Sequence, residues 1–100
     1  MALLRMVRMQ FRPDAVEEFL LLFDGVKQQI RNFPGCMELK LMRDADHPAV
    51  FYTYSRWEAP EFLEQYRNSA FFAETWRKTK ALFAEKAMAF SLQEFQVTDA

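Results

Sequence analysis

The chain opens on alternation. Over residues 3–11 (LLRMVRMQF), Leu3, Arg5, Val7, Met9 and Phe11 fall on one side, and Leu4, Met6, Arg8 and Gln10 on the other. A period of two predicts a strand, because side chains alternate across the pleat. Arg12-Pro13-Asp14 then reads as a helix start. Proline suits the first turn, where its missing N–H has no partner to lose, and an acidic residue favours the positive end of the helix. From there the spacing lengthens. Val16, Phe19, Phe23, Val26, Ile30 and Phe33 step by three and four residues, which places them on one helical face, with Leu20 and Leu22 widening the stripe. Gly25 costs about 1 kcal/mol of helix propensity and is read as a point of close approach to the sheet. Pro34-Gly35 ends the helix.

Residues 36–43 (CMELKLMR) alternate again. Asp44-Ala45-Asp46-His47-Pro48 has turn composition, and residues 49–57 (AVFYTYSRW) are rich in β-branched and aromatic residues. The two runs predict a hairpin. A short helix follows from Glu58-Ala59-Pro60 to about Arg67. Asn68-Ser69 breaks it, and Ser69 is a good N-cap for a second segment over 70–84. Phe72, Trp76, Thr79 and Phe83 share one face of that segment, while Glu74 and Lys78 can pair on another. Residues 87–97 (AMAFSLQEFQV) predict the last strand.

The order is β-α-β-β-α-β with a split second helix. It predicts an α+β, ferredoxin-like fold: one four-stranded antiparallel sheet with helices on one face. One hundred residues make a single domain, 1–100. Half of them are hydrophobic and eleven are Phe. A domain this small has too much surface to hide so much apolar area alone. A second copy covering the bare sheet face is the simplest remedy, so a homodimer is expected.

Charge and composition narrow the function. The formal net charge is −1 with signs interspersed, so no basic block invites nucleic acid. An RNA-recognition module has the same element order, but residues 49–57 lack its glycine and residues 3–10 lack its aromatic. No apolar run approaches the roughly 20 residues of a membrane span, and the N-terminus lacks a signal-peptide core; a cytoplasmic protein is expected. One cysteine, Cys36, and one histidine, His47, make neither a disulfide nor a soft-metal site within the chain. His47 lies in a turn and reads as a surface residue. With only two glycines there is no phosphate loop.

Several local motifs, in this order, resemble the antibiotic biosynthesis monooxygenase (ABM) family of the dimeric αβ-barrel superfamily. They are Arg12-Pro13-Asp14, Phe33-Pro34-Gly35-Cys36, the strand Phe51-Tyr52-Thr53-Tyr54-Ser55-Arg56-Trp57, then Phe62-Leu63, and the break Asn68-Ser69-Ala70-Phe71-Phe72. The resemblance spans nearly the whole chain and implies sheet-to-sheet dimerisation into an αβ barrel. It implies either oxygen insertion into a small aromatic or quinol without metal or flavin, or haem degradation. The quinol-oxidising branch carries histidines where this chain has Tyr66 and Phe71. The haem-degrading branch uses asparagine, tryptophan and histidine where this chain has Val7, Tyr66 and Trp76, so no proximal imidazole remains for haem.

Oxygenation without a cofactor asks the protein to bind a ring, exclude water, and place polar groups at the reacting oxygen. Tyr66 is the candidate hydrogen-bonding group or weak acid, and Arg5 the candidate charge for an enolate or phenolate. Val7, Met9 and Tyr54 from the sheet, with Phe72 and Trp76 from the helices, are the candidate substrate wall. A competing reading makes Phe72 and Trp76 plain core, Tyr66 a half-buried residue with a wet hydroxyl, and Phe51, Tyr52 and Tyr54 interface residues. The protein is then a non-catalytic ligand-binding or structural homodimer. A sheet–helix space packed solid favours that reading; an open cavity favours chemistry.

Overall fold

A computed structural model describes residues 2–99. Four strands, β1 (Leu3–Gln10), β2 (Cys36–Arg43), β3 (Val50–Trp57) and β4 (Met88–Leu92), form one antiparallel sheet in the order β2-β3-β1-β4. Three α-helices, α1 (Val16–Arg31), α2 (Pro60–Arg67) and α3 (Ala70–Lys80), connect them. This is the ferredoxin-like α+β arrangement that the pattern predicts, with the second helix divided.

Register sorts the side chains by face. In β1 against β3, Arg5 lies opposite Ser55, Val7 opposite Thr53, and Met9 opposite Phe51. These odd-numbered residues face the helices. The even set, Met6 opposite Tyr54 and Arg8 opposite Tyr52, faces away. A bulge between Cys36 and Glu38 shifts the β2 register, so that Leu39 and Leu41 meet Ser55 and Thr53 on the helical side.

The helical side holds two buried clusters. One centres on Phe11, which is fully buried and stacks on Phe19 with ring centroids 4.1 Å apart; Met9, Phe51 and Leu82 complete it. The other centres on Trp57, 1% exposed, with Leu3, Ile30, Cys36, Leu63 and Tyr66. Phe51 therefore belongs to the core and not to an interface. The far face is bare: Met42, Met88, Phe90 and Leu92 are each close to half exposed.

Three expectations change. Gly25 meets nothing within 4 Å of where a Cβ would sit, so it makes no close approach to the sheet. The helix over 70–84 stops at Lys80, because the chain beyond it pairs with the end of β1. Ala84 N–H donates to Gln10 O (2.8 Å), Arg12 N–H to Leu82 O (3.1 Å), and Phe83 bridges Phe11. The last strand ends at Leu92, opposite Leu4. β1 begins at Leu3, so a longer β4 has nothing left to pair with, and residues 93–99 run on exposed.

Gly35 is the one residue with positive φ (84°) among those described. A side chain there would also collide with the Phe62 ring, so glycine is required twice over. Among the described residues no helix is long and apolar enough to cross a membrane.

Candidate active site

Between the two clusters the helical side is not filled. The cause lies in β3, whose helix-facing residues run Phe51, Thr53, Ser55, Trp57: large, small, small, large. The two small side chains leave a cavity of about 110 Å³ under α1 and α3. This is less than the few hundred Å³ of a usual ligand pocket. It approaches the roughly 150 Å³ that admits benzene in an engineered core. That is the scale of a single ring and not of a fused polycycle.

Arg5, Val7, Met9, Tyr66, Phe72 and Trp76 all line this cavity, so six of the seven candidates meet. Tyr54 does not. It faces away from the helices, with Lys40 Nζ 5.4 Å from its ring centroid and its hydroxyl 3.4 Å from Arg56 Nη2. Its even position in β3 puts it there, since the pleat that turns Thr53 and Ser55 inward turns Tyr54 outward. Phe72 and Trp76 serve both readings at once. They stack on each other (5.9 Å, 11° between planes), and both pack on core clusters while facing the cavity.

Tyr66 is held from three sides. It stacks on Trp57 (5.2 Å) and takes Phe33 and Phe72 edge-on (5.1 and 5.0 Å). Its backbone is fixed as well: Ser69 Oγ donates to Tyr66 O (2.7 Å) and accepts from Phe72 N–H (3.0 Å), capping α3 where α2 ends. Burial pushes the Tyr66 phenol well above its ordinary range, and the neighbouring Cys36 adds to the shift. The group is therefore a neutral O–H donor at any physiological pH and not a base. Among the described residues its hydroxyl has no side-chain hydrogen-bond partner, yet it is not a sealed, unsatisfied atom.

Arg5 enters from the sheet. Its Nη1 donates to Ser91 Oγ (2.9 Å) across the β1–β4 pair. Among the described residues no carboxylate lies within 4 Å of it. Burial lowers its affinity for the proton, and Arg67 lowers it further, while Glu64 opposes both. A guanidinium stays cationic at neutral pH all the same.

Sequence reasoning missed Arg67, Phe23, Thr53, Ser55 and Thr75, which also line the cavity. The inward small pair Thr53 and Ser55 was the readable signal. Ser55 also anchors the wall, since Trp57 Nε1 donates to its Oγ (2.9 Å). Arg67 gave no signal, because an arginine in the last turn of a helix is commonplace. Among the described residues no three Asp, Glu, His or Cys side chains converge as a metal site.

A four-stranded antiparallel sheet with an aromatic-walled cavity under its helices places the chain among the small ferredoxin-like α+β proteins. Residues 2–79 match the family profile of antibiotic biosynthesis monooxygenases, and the chain belongs to that family. Its fold is shared with a conserved protein from Methanosarcina mazei Go1 (TM-score 0.90, 17% identity, 94% of this chain and 93% of that one). It is shared equally with Rv0793 from Mycobacterium tuberculosis (0.88, 19%, 99% and 100%). A Nitrosomonas europaea protein assigned to antibiotic biosynthesis monooxygenases is also similar (0.85, 22%, 98% and 94%). Comparison with curated proteins finds no match.

Proposed function

We propose that this protein is a monooxygenase that uses neither metal nor organic cofactor and acts on a single-ring phenol or quinol in the cavity. The observation that carries this reading is the pairing of a half-buried cation without a carboxylate partner, Arg5, with the Tyr66 hydroxyl in one aromatic-walled space. Among the described residues no Asp, Glu or His lines that space, so no side chain there is placed to act as a strong base. The substrate must then ionise largely on its own. Arg5 favours the ionised form, since a nearby opposite charge lowers a phenol's pKa. Tyr66 donates to the oxyanion that develops. The electron-rich ring reduces dioxygen by four electrons: one oxygen atom replaces a ring hydrogen, the other leaves as water with two of the substrate's hydrogens, and the ring ends as a quinone.

The bare sheet face supports a homodimer. Phe90 and Leu92 of β4, with Met42 of β2, present apolar surface beside Tyr52 and Tyr54, and a second copy turned sheet to sheet would remove it from water. A cytoplasmic setting fits the single buried thiol, Cys36.

The test is oxygen uptake by the purified protein with a panel of hydroquinones and catechols. Uptake that depends on substrate, falls with Arg5→Gln, and drops about tenfold or more with Tyr66→Phe is expected. No uptake across the panel, with Tyr66→Phe silent, would leave the second reading: a dimer that binds a ring without reacting. That alternative is favoured by Tyr66 and Phe71 standing where one branch of the family carries histidines.

A further inference from the structure

The charges that line the cavity are one-sided, with Glu64 outside the lining as the carboxylate near both arginines. Among the described residues two guanidiniums, Arg5 and Arg67, are the only charged side chains that line it. They come from different elements, β1 and the last turn of α2. The nearest competitor for Arg67 is Glu64, whose Oε2 lies 3.8 Å from Arg67 Nη1 with both side chains largely exposed. An exposed pair at that distance contributes little and is easily displaced. Arg5 spends one donor on Ser91, which leaves most of its five N–H groups unused. The lining is otherwise apolar or aromatic, with Tyr66 and small hydroxyl residues as the neutral polar groups.

A cavity with two cations and no lining anion is complementary to a negatively charged ring. We infer that the ligand of this pocket is a single-ring aromatic carrying a permanent anionic substituent, a carboxylate above all, engaged by Arg5 and Arg67 while the ring lies against Phe72 and Trp76. Guanidinium pairs with carboxylate through two parallel hydrogen bonds, and such charge-assisted bonds gain strength where water is displaced. The inference deepens the monooxygenase reading and rests on it for the place of the site. It names the substrate class, a hydroxylated benzoate in preference to a neutral phenol. A hydroxylated benzoate also carries a single ring, the scale of the cavity.

Two probes of one shape separate the charge from the ring: 2,5-dihydroxybenzoate and 2,5-dihydroxybenzamide. Binding is followed anaerobically by tryptophan fluorescence, since Trp76 lines the cavity, and by calorimetry. The wild-type protein is expected to bind the carboxylate about tenfold or more tightly than the amide. Arg67→Gln, on an exposed helix turn, is expected to keep the fold and erase much of that preference. Arg5→Gln, checked by thermal melting, is expected to erase the rest. Equal affinity for the two probes, or a preference that survives both substitutions, would overturn the inference. Oxygen uptake is scored separately. Charge-selective binding without uptake removes the monooxygenase reading and leaves this one. Uptake with neutral quinols and no charge selectivity does the reverse.

Discussion

The two faces of the sheet are built from the same strands and do opposite things. On the helical face, Phe11 and Trp57 are sealed, Phe51 joins them, and the remaining gap is walled by aromatics and carries two arginines. On the other face, Met42, Met88, Phe90 and Leu92 stay near half exposed in a single chain. A one-residue alternation separates them. Met9 is 2% exposed on one side, while Met6, three residues earlier in the same strand, points to the other. The lesson is that this short chain divides its apolar supply. One half builds a core with a cavity in it, and the other lies bare in the single chain, the face for which we propose a second copy.

The sharpest break is Phe11→Ala. Removing a fully buried ring that touches Phe19, Phe51 and Phe83 should cost about 3–5 kcal/mol. In urea melts that loss should be the same at every protein concentration. On the bare face the outcome should differ in kind. Phe90→Lys is expected to leave the helical core intact and weaken self-association by about a hundredfold, through an unpaired charge in an apolar contact. Sedimentation velocity reads this as a change from twice the chain mass to once. A melt that drops as far as for Phe11→Ala, with no change in assembly, would mean the faces are not separate.

Gly35→Ala should cost about 2 kcal/mol, because it adds backbone strain at a positive φ to a collision with Phe62. Unchanged midpoints in urea would show that α2 can shift to make room. Thr53→Leu sharpens the comparison from within the helical face. It fills the cavity floor and is expected to change stability by no more than about 1.5 kcal/mol while reducing ring binding at least tenfold in the fluorescence titration.

The smallest effect is the titration of Tyr66. Its folded-state phenol is raised above the unfolded value, so the folded chain holds that proton longer. The stability it contributes is fully present below about pH 10, the unfolded phenol value. Above that the contribution is lost as the unfolded state releases its proton first. Wild-type protein should therefore lose stability between pH 9 and 11 more steeply than Tyr66→Phe, by chemical denaturation at each pH. Parallel curves would place the hydroxyl in water.

Much of this was legible because period and face are local properties. β2 was read to the residue, and the Ser69 cap formed as its sequence position implied. The errors came where one element answers to another. The end of α3 is set by the β1 backbone at Gln10 and Arg12, and the end of β4 by the first residue of β1; no window of sequence contains both partners. The cavity followed the same rule. Arg5, Val7 and Met9 could be placed by alternation once one face was known. Tyr54 was misplaced because β3 is aromatic on both faces, Phe51 and Trp57 on one and Tyr52 and Tyr54 on the other, so composition alone does not say which face turns inward. Arg67 was invisible, since only the packing of α2 over β3 brings it to the same space as Arg5.

The methionines provide the most direct measurement of how the two faces divide their work. Met9 faces the cavity, whereas Met6, Met42 and Met88 lie on the bare side. Methyl NMR of methionine-labelled protein, titrated anaerobically with 2,5-dihydroxybenzoate and then diluted, separates ligand from partner. The expected result is a ligand-dependent shift at Met9 alone, and a dilution-dependent shift at Met6, Met42 and Met88. Ligand shifts on the bare-face methionines with Met9 silent would contradict it.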